Sequence, residues 1–502
     1  MSQSETASPD LDRGFFGHPR GLSTLFFTEL WERFSYYGMR AILVLYMVKT
    51  MQGENPGMDL DDKAAGAIYG LYTGLVYLLS LPGGWVADRV MGQRHAVLVG
   101  GIIIAAGHFS MAIPGNTTFF IGLLLIIVGT GLLKPNISAI VGSLYSKDDT
   151  RRDAGFSIFY MGINIGALSA PLVCGYLGEE VNWHYGFGAA GIGMVLGLIQ
   201  YVVGWRHLGE AGKFTGDPVK RAKDRNLLVG VTSVAFLVIV VVGYLIASGK
   251  WVPDLSLLAS YMTGVIIAAA AGYLSYMAFF SGVTQEERKR VGAIAVLFVA
   301  AALFWSGFEQ AGTSLTLFTE RLTDTSIFGW EMPTAWFQFF NPAFIIIFAP
   351  VFAWLWTVLA HRQPSSPVKF SLGLILLGGG FVVMVFASLA TGYSGEGSDY
   401  NRVGMSWIII TYLLHTWGEL CLSPVGLSTM TKLSPERFTG QVMGIWFTAS
   451  ALGNVIAGQI GGLFESLPLA QIFGAVTATT AGVGFVLLLL SPAIRRLMGG
   501  IR

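Results

Sequence analysis

Fourteen apolar stretches dominate this sequence, and each is long enough to cross a bilayer. An α-helix needs about 20 mostly apolar residues to cross a hydrocarbon core of about 30 Å. The 502 residues are 53% hydrophobic and only 12% charged, whereas soluble domains carry about 25% charged residues. The sequence therefore predicts an all-α polytopic membrane protein. The expected spans are 22–50, 63–87, 95–113, 118–144, 154–178, 182–206, 226–248, 255–281, 291–322, 334–360, 369–390, 404–432, 438–465 and 470–491.

Lysine and arginine are distributed unevenly between the two ends of these spans. The side that holds both termini carries 23 of them, the other side five, and three lie within the spans. Because basic residues concentrate in cytoplasmic loops, we expect both termini in the cytoplasm. The net charge of only +1 argues against a nucleic-acid partner and leaves the lipid bilayer as the expected environment.

Two charged linkers, 207–225 and 282–290, divide the spans into groups of six, two and six. Two six-helix halves with a polar midplane are the architecture of alternating-access transporters. The inserted spans 226–248 and 255–281 contain no acid or base within their apolar core, which is typical of lipid-facing packing elements. The expected domains are an N-terminal six-helix bundle at 1–206, linkers with two inserted helices at 207–290, and a C-terminal six-helix bundle at 291–502.

Four charged residues interrupt the first span, although nothing around them breaks a helix. Ionised groups at membrane depth are costly, so they pair with each other or face a water-filled cavity. One interpretation is a structural ion-pair cluster that holds helices together, and the other is a polar cavity at the centre of a transporter. At 3.6 residues per turn, one stripe of the helix carries Glu29, Glu32, Arg33, Tyr36, Tyr37 and Arg40.

Further polar side chains are expected at membrane depth in other spans. For each charge, a structural pairing and a functional role remain alternatives. Counted with the first span, four acids face three bases, which leaves one acid without a basic partner. A desolvated carboxyl without a partner can take up a proton near neutral pH, so the pattern suggests proton coupling. These further residues are Lys134, Asn164, Glu309, Asn341 and Glu419.

The same residues indicate a class of substrate. Arginine and lysine near the first and fourth spans would bind a carboxylate, and a glutamate in the other half would bind an ammonium group. A small zwitterion with variable apolar side chains fits this pattern, which does not separate an amino acid from a dipeptide. Aromatic residues that could line its side-chain pockets are Tyr36, Tyr37, Tyr77, Tyr160 and Trp446.

Three motifs resemble those of a known family. Segment 29–38 resembles the first-helix signature of the proton-dependent oligopeptide transporter family, within the major facilitator superfamily. Segment 159–168 resembles a second signature of that family, and segment 84–94 is similar to the superfamily's motif between helices 2 and 3. The resemblance implies the major facilitator fold, with two six-helix bundles and the two extra helices typical of bacterial members.

The resemblance also implies a function and a location. It implies a proton-coupled symporter that imports di- and tripeptides by alternating access across the cell inner membrane. Its partners would be small peptides and protons, and we expect no catalytic residues, metal or cofactor. The alternative is a transporter of another small anion or amino acid derivative, such as nitrate. An intramembrane enzyme is disfavoured because the sequence has no HExxH, GxSxG or CxxC motif.

The resemblance also implies substrate-binding and proton-coupling roles for the polar residues at membrane depth. Arg33 and Lys134, with Glu29 and Glu32, would bind the peptide carboxylate and couple it to protons. The family's peptide-binding positions are matched here by Tyr37, Tyr77, Asn164, Asn341, Trp446 and Ser450.

Two ion pairs are implied to act as gates. Glu419 would pair alternately with Lys134 and the peptide amine, and Glu309 would exchange Arg40 for a proton. Animal members carry an essential histidine where this chain has Gly70, so coupling here is expected to rest on carboxylates.

Overall fold

The structure is a computed structural model that describes residues 12–146, 149, 151–214, 216–393 and 399–500. It contains the fourteen long helices that the sequence predicts. Twelve of them are long and apolar enough to cross a membrane, and the other two, α1 and α13, carry more polar residues. The helices are α1 (Arg20–Val48), α2 (Asp62–Met91), α3 (Gln93–Met111), α4 (Asn116–Ser143), α5 (Arg152–Val181), α6 (Trp183–Leu208), α7 (Pro218–Ala247), α8 (Leu255–Phe279), α9 (Gln285–Leu322), α10 (Thr334–Leu359), α11 (Ser366–Thr391), α12 (Ser406–Leu433), α13 (Thr439–Gly461) and α14 (Leu469–Leu497).

Two helices begin well before their apolar stretches. We predicted starts at 226 and 291, but α7 begins at Pro218 and α9 at Gln285. Asp217 accepts a hydrogen bond from the first turn of α7, and Thr284 forms a reciprocal capping box with Glu287 at the start of α9. Such caps stabilise a helical turn whether or not its residues are apolar, so hydropathy misses these extensions.

Several helices contain irregular turns. Helix α9 is α-helical to Phe308, passes through a 3-10 turn at Glu309–Gly312 and resumes at Ser314. Helix α5 changes to π-helical turns after Ala170, and α10 opens with the 3-10 turn Thr334–Phe339. Such irregular turns are frequent at functional sites. Helix α2 comprises the segments Asp62–Leu78, Ser80–Val86 and Ala87–Met91.

The two ends of the helices define two faces of the molecule. We call the face where α1 begins and α4 ends the terminal face, and the face where α1 ends and α2 begins the opposite face. Four two-residue strands lie on the opposite face, after α9 and before α12. Strand β1 (Thr323–Asp324) pairs in parallel with β4 (Val403–Gly404), and β2 (Ser326–Ile327) pairs antiparallel with β3 (Trp330–Glu331).

The first and last six helices meet where α2 packs on α13. The glycines of α2 allow this approach: a Cβ atom at Gly66 would lie 2.4 Å from the backbone oxygen of Gly458. At Gly70 the added atom would lie 3.0 Å from the backbone oxygen of Val455. A larger side chain at either position would therefore displace the backbone of α13.

The inserted helices differ in their packing. The most apolar 18 residues of α7 have no buried side chain, whereas α8 packs against α2, α9 and α13. Helix α7 therefore has the exposure expected of a lipid-facing element, and α8 also contacts both halves. The domain boundaries at 206/207 and 290/291 stay a prediction.

Candidate functional site

A central cavity of about 190 Å³ lies between the first and the last six helices. Helices α1, α2 and α5 form one wall, and α9, α10 and α12 form the other. The wall combines aromatic rings with charged and amide groups, as binding sites for small polar molecules do. The predicted site residues in this wall are Tyr37, Arg40, Tyr77, Asn164, Glu309, Asn341 and Glu419.

The predicted pair of Arg40 and Glu309 is formed in this conformation. An Arg40 guanidinium nitrogen lies 2.8 Å from a Glu309 carboxylate oxygen, and the two side chains are only 8% and 3% exposed. The Arg40 guanidinium carbon also lies 5.6 Å from the centre of the Tyr37 ring. Because Glu309 begins the 3-10 turn of α9, this ion pair joins α1 to the break in α9.

Glu419 lies on the other side of the cavity and is held by an amide. The Asn341 side-chain nitrogen donates to a Glu419 carboxylate oxygen over 3.1 Å and to the Thr416 hydroxyl over 3.0 Å. These contacts orient the carboxylate of α12 toward a space that α1 and α5 also line. An ammonium group in the cavity could approach this carboxylate.

Lys134 does not pair with Glu419 here. Its ammonium nitrogen lies 3.8 Å from the centre of the Tyr77 ring, which is cation–π geometry. Within the described part of the chain, no carboxylate lies within ion-pair distance of Lys134. The sequence predicted that one buried acid would lack a basic partner. In this structure Lys134 and Glu419 both have uncharged partners, the Tyr77 ring and the Asn341 amide.

Glu29, Glu32 and Arg33 form a compact buried group on α1. The Arg33 side chain lies 2.9 Å from a Glu29 carboxylate oxygen and also contacts Glu32. All three side chains are at most 4% exposed. Two acids thus share one base on α1.

Four predicted substrate-binding residues stand outside the wall of the central cavity: Arg33, Lys134, Trp446 and Ser450. Lys134 contacts the ring of the wall residue Tyr77. The Trp446 ring packs against Phe370 with 6.2 Å between ring centres, and Ser450 is buried on α13. The structure therefore places some of the predicted substrate-binding residues in the cavity wall and these four outside it.

Several wall residues were not among the predicted site residues, and three of them carry a phenol or an amide. Tyr160 was expected only as a pocket aromatic, and Gln338 and Tyr412 were not predicted at all. Gln338 donates to the Thr316 hydroxyl over 3.3 Å and so connects α10 with α9. A lone glutamine at the start of an apolar span was the available signal for it.

The opposite face is closed by two further polar contacts between the halves. Arg321 donates two hydrogen bonds of 2.8 Å to the carboxylate of Asp62. The Glu179 carboxylate accepts hydrogen bonds from the backbone amides of Thr334 over 2.9 Å and Ala335 over 2.7 Å. Glu179 thereby caps the first turn of α10, an interaction that no local sequence pattern indicated.

Metal-ligand side chains are dispersed in the described ranges. No group of three or more His, Cys, Asp or Glu side chains could hold a metal ion there. Cys174 and Cys421 are buried and unbonded to each other.

Comparisons with known proteins identify the family. The profile of the POT family matches residues 94–478. The chain belongs to the POT family. This confirms the resemblance drawn from the motifs and places the chain in a family of transporters, not of enzymes.

Individual relatives are similar over the whole length of this POT transporter. "Peptide transporter YePEPT" of Yersinia enterocolitica is 43% identical, covering 99% of this chain and 98% of its own. A "Di-/tripeptide transporter" of Lactococcus lactis subsp. cremoris is 40% identical, covering 98% of this chain and 99% of its own. The crystal structure of a peptide transporter POT in complex with sulfate is 44% identical, covers 97% of both chains and superposes with a TM-score of 0.89. The major facilitator fold of a multi-pass membrane protein is thus confirmed.

Proposed function

We propose that this POT transporter is a proton-coupled symporter that imports di- and tripeptides by alternating access. The observation that carries the proposal is the central cavity, where a carboxylate of the C-terminal half, Glu419, faces tyrosines and an amide of the N-terminal half. The names of the Yersinia and Lactococcus relatives support peptides as the substrate class. The six-helix bundles at 1–206 and 291–502 would be the units that rock against each other.

The terminal face is proposed to be cytoplasmic. The excess of lysine and arginine on that face supports this orientation in the cell inner membrane. The closed opposite face would then be the outer face. The structure would correspond to a state that has shut its outer entrance while the inner side remains accessible.

A bound peptide would use both groups of predicted residues. Its amine would pair with Glu419, which Asn341 already orients over 3.1 Å. Its carboxylate would point toward Lys134, which contacts the ring of the wall residue Tyr77. It would also point toward Arg33, which precedes the wall residue Tyr37 by one turn of α1. The rings of Tyr37 and Tyr77 would contact side chains without selecting one residue type.

Protons would act on the Arg40–Glu309 ion pair and on the two glutamates of α1, Glu29 and Glu32. Protonation of Glu309 would release Arg40 and remove the contact that joins α1 to α9. Glu29 and Glu32 share Arg33, so one of these carboxylates could exchange that base for a proton when a substrate carboxylate arrives. Both steps use carboxylates, as expected for a chain with Gly70 on α2.

Uptake into liposomes tests the proposal. The purified chain would be reconstituted, and accumulation of a radiolabelled dipeptide would be measured with an inward proton gradient and with the gradient collapsed by a protonophore. We expect accumulation only with the gradient, together with competition by unlabelled di- and tripeptides. Gradient-independent accumulation would contradict proton coupling.

The choice of competitors defines the substrate. A dipeptide with an amidated C-terminus should compete poorly, because it lacks the carboxylate that the cations would bind. Nitrate and single amino acids should not compete. If nitrate inhibited and peptides did not, the alternative anion transporter would replace the peptide symporter.

A further inference from the structure

Gln310 follows Glu309 in the 3-10 turn that interrupts α9, and its surface is 0% exposed. It is not a wall residue of the central cavity. A buried amide is costly unless its hydrogen bonds are made. We therefore expect its partners to be the groups that hold the break of α9 in place.

The side-chain nitrogen of Gln310 binds carbonyl oxygens of two different helices. It donates to the backbone oxygen of Ser306 over 3.1 Å and to that of Ala457 over 3.3 Å. Ser306 precedes Gln310 by one turn of α9, whereas Ala457 belongs to α13. Because carbonyl oxygens only accept hydrogen bonds, the nitrogen must lie on this side of the amide. The nitrogen thus fastens the first segment of α9 to α13.

The side-chain oxygen of Gln310 binds the segment of α9 that follows the break. It accepts hydrogen bonds from the hydroxyl of Ser314 over 2.6 Å and from that of Thr313 over 3.2 Å. These two residues stand where α9 resumes as an α-helix. An amide has two N–H donors and two acceptor lone pairs, and all four are used here. One side chain therefore connects both segments of α9 with each other and with α13.

The two ends of the 3-10 turn lie against the same part of α1 and α2. At its first residue, a Glu309 carboxylate oxygen lies 2.8 Å from an Arg40 nitrogen. At its last residue, the Tyr69 hydroxyl oxygen fills the space where a Cβ atom at Gly312 would lie. The Tyr69 ring centre is 5.9 Å from the Arg40 guanidinium carbon. A change in the shape of the turn would therefore move Glu309 relative to Arg40.

We propose that Gln310 is a positioning residue for the Arg40–Glu309 pair, and that its amide keeps α9 broken in the form that presents the Glu309 carboxylate to α1. A buried polar network whose hydrogen bonds are all made favours one arrangement of the elements that it joins. The inference rests on the proposed role of Glu309 in proton coupling. Gln310 acts through the turn and is not itself a ligand of the substrate or the proton.

Distance measurements across the opposite face test this inference without any transport. Spin labels at the exposed positions Gln52 and Phe328 would be measured in the full chain, without peptide and without a proton gradient. Gln310→Met keeps an unbranched side chain of similar length and removes the amide. We expect a shift of about tenfold toward states with an open opposite face. Ser314→Ala removes only one of the four hydrogen bonds and should give a shift of about threefold in the same direction, which keeps the test decisive if Gln310→Met does not fold.

A double-mutant comparison separates positioning from general support of the fold. In a Glu309→Gln background the Arg40–Glu309 ion pair is already absent, so Gln310→Met should add a shift of less than about twofold. Glu179→Gln acts on a separate contact and should still add about tenfold in the same background. If Gln310→Met added as much as Glu179→Gln there, the amide would only hold the helices together and the proposal would be wrong.

Gln459 provides the matched control. It lies on α13 two residues after Ala457, but its side chain donates to the Thr263 hydroxyl of α8 over 3.3 Å. Gln459→Met should therefore leave the distance distribution unchanged. An equal shift in Gln459→Met, or no shift in both Gln310→Met and Ser314→Ala, would overturn the proposal. Because no transport is measured, a failure of peptide uptake would count against the proposed function and would leave this comparison valid.

Discussion

The opposite face of the molecule is joined across its two halves by polar contacts, whereas the terminal face surrounds an open cavity of about 660 Å³. On the opposite face, charged side chains form three contacts with partners from the other half. On the terminal side of the centre, Lys134 and Glu419 are each held within their own half. The contacts that close the opposite face are Arg40–Glu309, Arg321–Asp62 and Glu179 with the amides of Thr334 and Ala335.

This difference teaches how one set of buried charges can serve two conformations. A buried ion pair contributes little net stability over an apolar contact, but breaking it by removing one partner is costly. A transporter with ion pairs at both faces would therefore favour states in which one face is paired and the other is released. Our predictions test this asymmetry, and they are ordered by the size of the expected effect.

The largest effect is expected at Lys134. Lys134→Ala removes the cation proposed both to bind the peptide carboxylate and to close the terminal face with Glu419. We expect loss of proton-driven uptake by about 100-fold, since a hydrogen bond to a charged group contributes up to about 3 kcal/mol. Liposome uptake provides the measurement, and Lys220→Ala, an exposed lysine of α7, serves as the control. Uptake near the wild-type rate would remove Lys134 from both roles.

Glu309→Gln should separate two activities. The amide imitates a permanently protonated acid, so the cycle of protonation cannot be completed. We expect uptake driven by a pH gradient to fall to background, while peptide counterflow, which needs no net proton movement, is partly retained. Loss of both activities with poor expression would indicate that the Arg40–Glu309 pair only supports the fold. Gradient-driven uptake at the wild-type rate would move the coupling acid elsewhere, with Glu32 the first candidate.

Glu179→Gln should weaken the closure of the opposite face without touching the cavity. The amide offers one acceptor for the two backbone amides of Thr334 and Ala335, and it lacks the negative charge that favours a helix N-terminus. We expect a shift of about tenfold toward states with an open opposite face. Spin labels at the exposed positions Gln52 and Phe328 would report the distance across this face.

The adjacent Glu180 makes the control for that experiment. It is exposed, so Glu180→Gln should leave the distance distribution unchanged. An unchanged distribution in Glu179→Gln would show that the capping contact follows closure of the face and does not stabilise it.

The smallest effect is expected at Arg321, whose side chain is 27% exposed. Partly exposed pairs contribute up to about 1 kcal/mol, so Arg321→Gln should shift the same distance distribution by about fivefold or less. Salt at 1 M, with a Debye length of about 3 Å, should reduce the difference between variant and wild type. Lys63→Gln, next to Asp62 and exposed, is the matched control. A shift as large as that of Glu179→Gln would reverse our ranking of the two contacts.

Most of the helices could be predicted from the sequence, because a helix that crosses the bilayer needs an apolar stretch of about 20 residues. Fourteen apolar stretches predicted fourteen helices, and most boundaries agree within a few residues. The starts of α7 and α9 were missed because capped, charged turns extend those helices beyond their apolar cores. The breaks at Glu309 in α9 and at Thr334 in α10 were also outside the reach of hydropathy.

The sequence by itself determined the membrane environment, the helix count, the family motifs and the buried charged residues, because a charge within an apolar stretch is visible locally. Only the tertiary structure decided the partners. Arg321 and Asp62 are 259 residues apart in the chain, and Glu179 and Ala335 are 156 apart. No local pattern encodes such contacts, since they depend on how the two halves meet. The partner of Lys134 is a further example, because this side chain contacts the Tyr77 ring and not Glu419. Side-chain pairs change with the conformation, whereas the sequence is the same in every conformation that the chain adopts.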